Sequence, residues 1–226
     1  MNQVIDRLMD IIIMVPILLI ALPFHEYAHA WVAYRLGDPT AKDAGRLTLN
    51  PLKHLDLFGT LMMLVARVGW AKPVPVNSGY FRNRRKGIIL VSLAGPLSNL
   101  LLAFAFMLIW GIMTKLVVVG VIPVRSETAV TVIGWLQVFF HVSVLVNISL
   151  AVFNMIPVPP LDGSRLISSF VPEESYYRFA RYEQFIGIGF LALVILAPNA
   201  LSSVIRFVAD PIYNSMITAI SFILGL

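Results

Sequence analysis

The chain contains no cysteine and little charge. Only 13% of its 226 residues are Asp, Glu, Lys or Arg, against about 25% in a typical soluble domain. The absence of cysteine excludes a disulfide framework, a thiol nucleophile and a thiolate metal site. The shortage of charge, with 58% hydrophobic residues and a mean hydropathy of +0.84, excludes both a disordered chain and an ordinary soluble domain. This composition indicates a polytopic membrane protein.

Long segments without a charged residue predict where the chain crosses the membrane. A helix needs about 20 apolar residues to span the hydrocarbon core, so we expect an all-α protein with about five to six transmembrane helices in a single domain, residues 1–226. Five spans are predicted at roughly 4–36, 88–114, 129–155, 179–197 and 200–224. The first lacks the positive flank of a signal peptide and is predicted to be retained. The last follows Asp210-Pro211 and either spans or lies along the interface.

The connection between the first two spans, residues 37–87, is rich in basic residues. It holds nine of the seventeen Lys and Arg but only three acids, which predicts a cytoplasmic loop of a plasma-membrane protein. The net charge of +5 is then explained by contact with the lipid bilayer, and no nucleic-acid partner is expected. Within the loop, residues 46–49 and 74–76 predict short β-strands, and the apolar residues 57–68 predict a re-entrant or surface hairpin.

The first predicted span contains three ionisable residues within five positions, His25-Glu26-Tyr27-Ala28-His29. Such residues are costly inside a membrane and indicate function. Residues four apart on a helix lie about 40° apart around its axis, so both imidazoles can reach one Zn²⁺. Glu26 is then placed to accept a proton from water at that ion. The alternative is that all three side chains hydrogen-bond neighbouring helices without a metal.

A tetrahedral catalytic zinc needs a third protein ligand beside two imidazoles, and Asp162 is the favoured residue. It follows a proline-rich segment, residues 154–160, where regular helix is forbidden and irregular backbone is typical of a cavity lining. The alternative is a turn in which Asp162-Gly163 only closes a loop. Because the histidine pair requires a further ligand, we expect one zinc per chain.

The remaining polar residues of the predicted spans allow more than one interpretation. Asn147 and Asn154 are seven residues apart, which places both on one inward face of the third span. His141 lies away from that face and is expected to be a helix-packing donor. His54 is expected to be solvated or locally hydrogen-bonded. Asn99 follows a proline in the second span, so it either satisfies the backbone that this proline frees or lines the catalytic cavity.

Taken together, these motifs resemble the site-2 protease family of intramembrane zinc metalloproteases. The resemblance rests on His25-Glu26-x-x-His29, on Gly95-Pro96-x-x-Asn99, on Asn154 with Asp162-Gly163, and on Asn50-Pro51 in the loop. It implies that His25, His29 and Asp162 bind zinc and that Glu26 is the catalytic base. It further implies that Asn154 positions the substrate or stabilises the developing oxyanion, and that Asn99 lines the same cavity and helps to position the substrate.

The resemblance also implies a reaction, the hydrolysis of peptide bonds within or near transmembrane segments of other membrane proteins. A small sheet in the loop would offer an edge to the unwound substrate. Many relatives carry PDZ or CBS domains, and 226 residues leave no room for either. Two rival functions stay open. One is a metal transporter with a transient midplane site, which has no need of Glu26; the other is a catalytically silent relative that only binds membrane partners.

Overall fold

The computed structural model describes residues 2–56, 59, 72–171 and 182–226, and the regular structure in these ranges is helical. The helices are α1 (Asn2–Arg35), α2 (Thr40–Asp43), α3 (Arg84–Val118), α4 (Glu127–Asn154), α5 (Asp162–Ser168), α6 (Glu183–Leu196) and α7 (Pro198–Leu224). Single 3-10 turns lie at Pro51–Lys53 and Ser78–Tyr80. The predicted all-α membrane architecture is confirmed.

Four helices in the described ranges are long and apolar enough to cross a membrane: α1 from Ile11 onward, α3, α4 and α7. They coincide with the predicted spans at 4–36, 88–114, 129–155 and 200–224, so the last predicted segment has the length of a full span. The predicted span at 179–197 differs. Its described part is α6, which has 14 residues. This is shorter than the roughly 20 residues needed to cross the membrane. The helix ends at Leu196, and α7 begins two residues later at Pro198.

The ends of the long helices carry the expected capping residues. The Asn83 side chain accepts a hydrogen bond from the Lys86 amide at 3.0 Å and begins α3. The Ser126 hydroxyl accepts one from the Ala129 amide at 3.1 Å and begins α4. After α1 the chain turns at Gly37, whose φ of +100° favours glycine. These local signals hold α1, α3 and α4 to their observed lengths.

The main apolar core lies between α3, α4 and α7. Its buried residues are Ala103, Phe106, Met107, Val144, Ile148, Ala209 and Ile220. Helix α1 packs on the other side of α3, and the short α5 also packs against α3. Helix α3 is therefore the central element of the bundle, and its two ends meet different neighbours.

The loop differs from the prediction, because no β-strand forms among the described residues. Residues 46–49 contain bends and residues 72–77 have no regular secondary structure, although the prolines at 73 and 75 favour an extended backbone at the residues before them. Both Pro73 and Pro75 lack the N–H that a ladder requires. The predicted strands at 46–49 and 74–76 are therefore wrong. The hairpin predicted at 57–68 lies, apart from Gly59, outside the described residues.

A backbone hydrogen bond from the Lys72 amide to the His54 carbonyl oxygen at 2.8 Å and several side-chain contacts hold segment 72–77 in place. The Arg46 guanidinium donates to the carbonyl oxygens of Lys72 and Pro73. The Asp38 carboxylate, which is fully buried, accepts a hydrogen bond from the Asn77 amide at 2.7 Å. These contacts hold the segment against the end of α1, where Val74 packs with Ala30 and Ala41.

Candidate metal centre

The two histidines predicted to share a helix face do so in the last third of α1. His25 and His29 are each only 7% exposed. Their ring centroids are 4.6 Å apart, with an angle of 81° between the ring planes. This edge-to-face arrangement brings the two Nε2 atoms within 3.0 Å of each other. The i, i+4 spacing therefore produces the convergent pair of nitrogens that the sequence predicts.

Asp162, the first residue of α5, completes the group across the bundle. Its Oδ2 lies 3.1 Å from Nε2 of His25 and 3.2 Å from Nε2 of His29. The following Gly163 makes this position accessible, because a Cβ there would lie 2.3 Å from the carbonyl oxygen of Met155. The structure thus brings together the three residues predicted as metal ligands. Within the described ranges they form the group able to hold a metal ion.

The geometry of the three atoms fits a zinc ion. Their separations of 3.0, 3.1 and 3.2 Å are close to the roughly 3.3 Å that separates ligands about 2.05 Å from a tetrahedral zinc. Nδ1 of His29 lies 2.7 Å from the Val91 carbonyl oxygen, which can only accept. In the neutral imidazole, Nδ1 therefore carries the ring hydrogen and Nε2 presents a lone pair. A second acceptor, the Asp162 carboxylate, faces that lone pair, and a cation between them offsets their repulsion.

The electrostatic state of Asp162 also suits a metal ligand. Burial by itself raises the pKa of this carboxyl group, because the charged form is poorly solvated. The contacts with His25 and His29 outweigh burial, and the pKa lies below its ordinary value. The side chain is consequently an ionised carboxylate at neutral pH, the form that binds a metal.

A close approach between α1 and α3 depends on Gly95. A Cβ at this position would lie 2.3 Å from Nε2 of His29 and 2.6 Å from Nε2 of His25. Any other residue in the present backbone would occupy the space directly beside the donor atoms. The first glycine of the Gly95-Pro96-x-x-Asn99 motif is therefore part of the site, although the sequence interpretation assigned it no role.

Glu26, the predicted base, contacts the extended loop segment. Its side chain is half-buried, and its Oε2 accepts a hydrogen bond from the Val74 amide at 2.9 Å. This bond leaves the Oε1 atom available as a proton acceptor beside the histidine pair. The sequence analysis missed the Val74 contact, because a backbone donor in a distant loop leaves no pattern in the residue types.

The three asparagines have different environments. Asn99 is fully buried, and its Oδ1 lies 2.6 Å from Nδ1 of His25, so the geometry makes it a partner of His25 and not a group open to substrate. Asn147 is equally buried and contacts Asn99. Asn154 is partly exposed at the end of α4, where its Nδ2 donates to the Leu150 carbonyl oxygen at 2.9 Å.

The other two histidines lie outside the metal group. Nδ1 of His141 is 3.4 Å from the Tyr213 hydroxyl, and its ring packs 4.9 Å from that of Trp110, as expected of a packing residue. His54 is fully buried, not solvated. Its Nε2 lies 2.7 Å from the Thr48 carbonyl oxygen. Of the two predicted alternatives, solvated or locally hydrogen-bonded, the second is therefore observed.

Comparison with known proteins agrees with this geometry. The sequence profile described as Peptidase family M50 matches residues 13–197, a range that contains all the residues of the site. The chain belongs to peptidase family M50. This membership confirms the resemblance drawn from the motifs. No solved structure matches the chain significantly.

Several relatives of this M50 member are named putative zinc metalloproteases. YwhC of Bacillus subtilis is 41% identical over 198 residues, which cover 88% of this chain and 84% of YwhC. Rip2 of Mycolicibacterium smegmatis is 30% identical over 79% of this chain and 63% of its own length. MJ0611 of Methanocaldococcus jannaschii is 31% identical over 64% of this chain and 63% of its own length. The likeness therefore extends to archaea.

Proposed function

We propose that the protein is an intramembrane zinc endopeptidase that hydrolyses peptide bonds within or near transmembrane segments of other membrane proteins. One observation carries the proposal. His25, His29 and Asp162 converge inside a bundle of span-length helices, and Glu26 directly follows His25 in α1. A donor set of two histidines and one carboxylate, as in catalytic zinc sites, with a further carboxylate beside it in the chain suits metal-assisted hydrolysis. Membership of a peptidase family supports the same reaction.

In this mechanism His25, His29 and Asp162 hold one zinc per chain. When bound, zinc polarises the scissile carbonyl and lowers the pKa of water in the site. Glu26 takes the proton from the attacking water and passes it to the departing amine. The Val74 amide holds one carboxylate oxygen of Glu26, so the other is directed to this proton transfer.

The substrate has to be locally unwound, because a helix hides its carbonyl groups in its own hydrogen bonds. Segment 72–77 lies against α1 and contacts Glu26 through the Val74 amide, so an unwound substrate strand along this segment would present its carbonyl groups next to the base. Asn154 is proposed to position this strand or to stabilise the oxyanion. Its Nδ2 has a second hydrogen beyond the one donated to Leu150.

The decisive experiment compares purified wild type, Glu26→Gln and His29→Ala. We expect about one zinc per chain in wild type and in Glu26→Gln, and loss of zinc in His29→Ala. In cells, membrane proteins that the wild type cleaves should accumulate uncut with Glu26→Gln, because only the proton acceptor has been removed. Cleavage by Glu26→Gln at the wild-type rate would refute the proteolytic mechanism and favour a transporter. Unchanged zinc in His29→Ala would refute the ligand assignment.

We further propose that the protein lies in the plasma membrane with residues 37–87 in the cytoplasm. The absence of cysteine makes any introduced cysteine a unique label. Lys53 and Arg125 are both exposed and lie in the segments that precede and follow α3 in the chain. A membrane-impermeant maleimide should label Arg125→Cys in intact cells, and Lys53→Cys only after the membrane is opened. The reverse pattern would overturn the orientation.

A further inference from the structure

A chain of buried amides leads from His25 into the bundle and ends at a backbone carbonyl. Nδ1 of His25 lies 2.6 Å from Oδ1 of Asn99. The Asn99 Nδ2 donates to Oδ1 of Asn147 at 3.0 Å, and the Asn147 Nδ2 donates to the Ser143 carbonyl oxygen at 2.8 Å. Both asparagines are 0% exposed. The chain therefore runs through α1, α3 and α4 without access to the outside.

The terminal carbonyl sets the direction of every hydrogen bond in this chain. A carbonyl oxygen can only accept, so Asn147 must turn its amide nitrogen toward Ser143 and its oxygen toward Asn99. Asn99 must then donate to Asn147 and turn its own oxygen toward His25. Nδ1 of His25 has to be the donor, which leaves a lone pair on Nε2, the atom that faces Asp162.

Without this direction His25 has a competing arrangement. A ring hydrogen on Nε2 could be donated to Oδ2 of Asp162, only 3.1 Å away. The site would then be closed by an internal hydrogen bond that needs no metal. In that arrangement the lone pair of Nδ1 would face the Asn99 oxygen at 2.6 Å, and two acceptors at that distance repel each other. The amide chain thus disfavours the closed arrangement in which Nε2 of His25 donates its hydrogen to Asp162.

His29 is held in the same Nδ1–H tautomer by a direct contact with a backbone carbonyl. Nδ1 of His29 meets the Val91 carbonyl oxygen directly at 2.7 Å, with no side chain between them. Both histidines are therefore oriented by acceptor-only backbone groups. A substitution in the amide chain should change the tautomer of His25 and leave that of His29 unchanged. His29 therefore serves as an internal control.

We propose that Asn147 is a positioning residue that, through Asn99, holds His25 in the Nδ1–H tautomer and so sets the affinity of the site for zinc. Asn147 itself is separated from the three ligands by the Asn99 side chain. The inference rests on the metal site of the proposed function. It adds a residue of α4 that influences zinc affinity without contacting the metal ligands. Partners of this kind typically change metal affinity about 10- to 100-fold.

The test measures zinc affinity by chelator competition in wild type, Asn147→Leu and Ser143→Ala. Leucine shares the branching of asparagine at Cγ, is somewhat bulkier and cannot hydrogen-bond, so the Asn99 amide is free to reverse; we expect binding to be weakened about 10-fold. Ser143→Ala is the matched control. It is also fully buried on α4 and loses a hydroxyl that donates to Phe139, but it keeps the carbonyl that ends the chain. Its affinity should equal that of the wild type.

A second readout separates a tautomer effect from a loosened fold. With ¹⁵N-labelled histidine in the zinc-free protein at alkaline pH, His25 should shift toward the Nε2–H form in Asn147→Leu, while His29 stays Nδ1–H. The His25 signal is identified by its loss in His25→Gln. If Asn147→Leu does not fold, Asn147→Ala is measured in its place. Equal shifts at both histidines would overturn the proposal.

The outcomes also distinguish this inference from the proposed function. A wild type that binds no zinc refutes the metal site, and the inference with it. A wild type that binds zinc while Asn147→Leu binds it equally tightly refutes the amide chain alone. Weaker binding in Asn147→Leu together with wild-type binding in Ser143→Ala supports the assignment.

Discussion

The two halves of α3 follow different packing rules. In the half nearest the metal group, residues 87–99, most of the buried positions are small or polar and include Ser92, Gly95 and Asn99. In the other half, residues 100–118, they include Ala103, Phe106 and Met107, which form the apolar core with α4 and α7. One continuous helix therefore provides close approach and hydrogen bonds at one end and bulk packing at the other.

This difference indicates that site geometry and stability are separable along α3. Between helices in a membrane, small residues permit close contact and buried polar groups provide directed bonds. The first half uses both devices to place Asn99 and the Val91 carbonyl behind the two histidines. The second half packs into the apolar core with α4 and α7 and contributes through shape. Substitutions in the two halves should therefore differ in which property they change.

The largest effect is expected at Gly95. In Gly95→Ala the new Cβ would lie 2.3 Å from Nε2 of His29, so the helices must separate or the imidazole must move. A displacement of about 1 Å at a reacting centre costs on the order of 100-fold in rate. We expect zinc content and cleavage to fall together, as measured by metal analysis and by accumulation of uncut membrane proteins.

Gly134→Ala is the matched control for that variant. A Cβ at Gly134, on α4, meets no atom within 4 Å, so the same change in residue type is made without a steric conflict. Zinc and cleavage should match the wild type. If Gly95→Ala also kept its zinc, zinc binding would not require the close approach of α1 and α3 at Gly95.

A smaller effect of a different kind is expected at Met107. This side chain is only 1% exposed in the apolar core, and Met107→Ala leaves a cavity. We expect the free energy of unfolding to fall by about 2 kcal/mol, toward the low end for such changes because lipid replaces part of the lost contact. Denaturant titration in detergent measures this loss. Zinc stoichiometry should be unchanged, and a loss of zinc like that in Gly95→Ala would contradict the separation.

Much of the fold could be predicted because membrane helices are specified by composition. The predicted spans match α3, α4 and α7 to within a few residues, and segments without charge cover most of α3 and α4, since a charge inside the hydrocarbon is costly. The predicted strand at 74–76 was wrong because alternating apolar residues indicate an extended backbone but not its partner. Here the partners are side chains, Arg46 and Asp38 among them.

In the candidate site, too, features set by neighbouring residues in the chain could be predicted, and contacts between separate helices could not. His25 and His29 could be predicted because four residues make about one helical turn, and Asp162 because the prolines before it break the helix. Asn147 could be placed on an inward face by its spacing from Asn154, but its partner could not be inferred. Which amide contacts which histidine depends on how α1, α3 and α4 are stacked, and no spacing within one helix contains that information.

The hydrogen bond from the Val74 amide to Glu26 joins two parts of the protein that have different surroundings. The metal ligands of α1 belong to the span, whereas the orientation of the carboxylate beside them is supplied by a loop fastened to the end of α1 by Arg46 and Asp38. Holding the ion and directing the proton are therefore tasks of different segments. A molecule whose loop has been drawn aside keeps all three ligands and loses the alignment of its base.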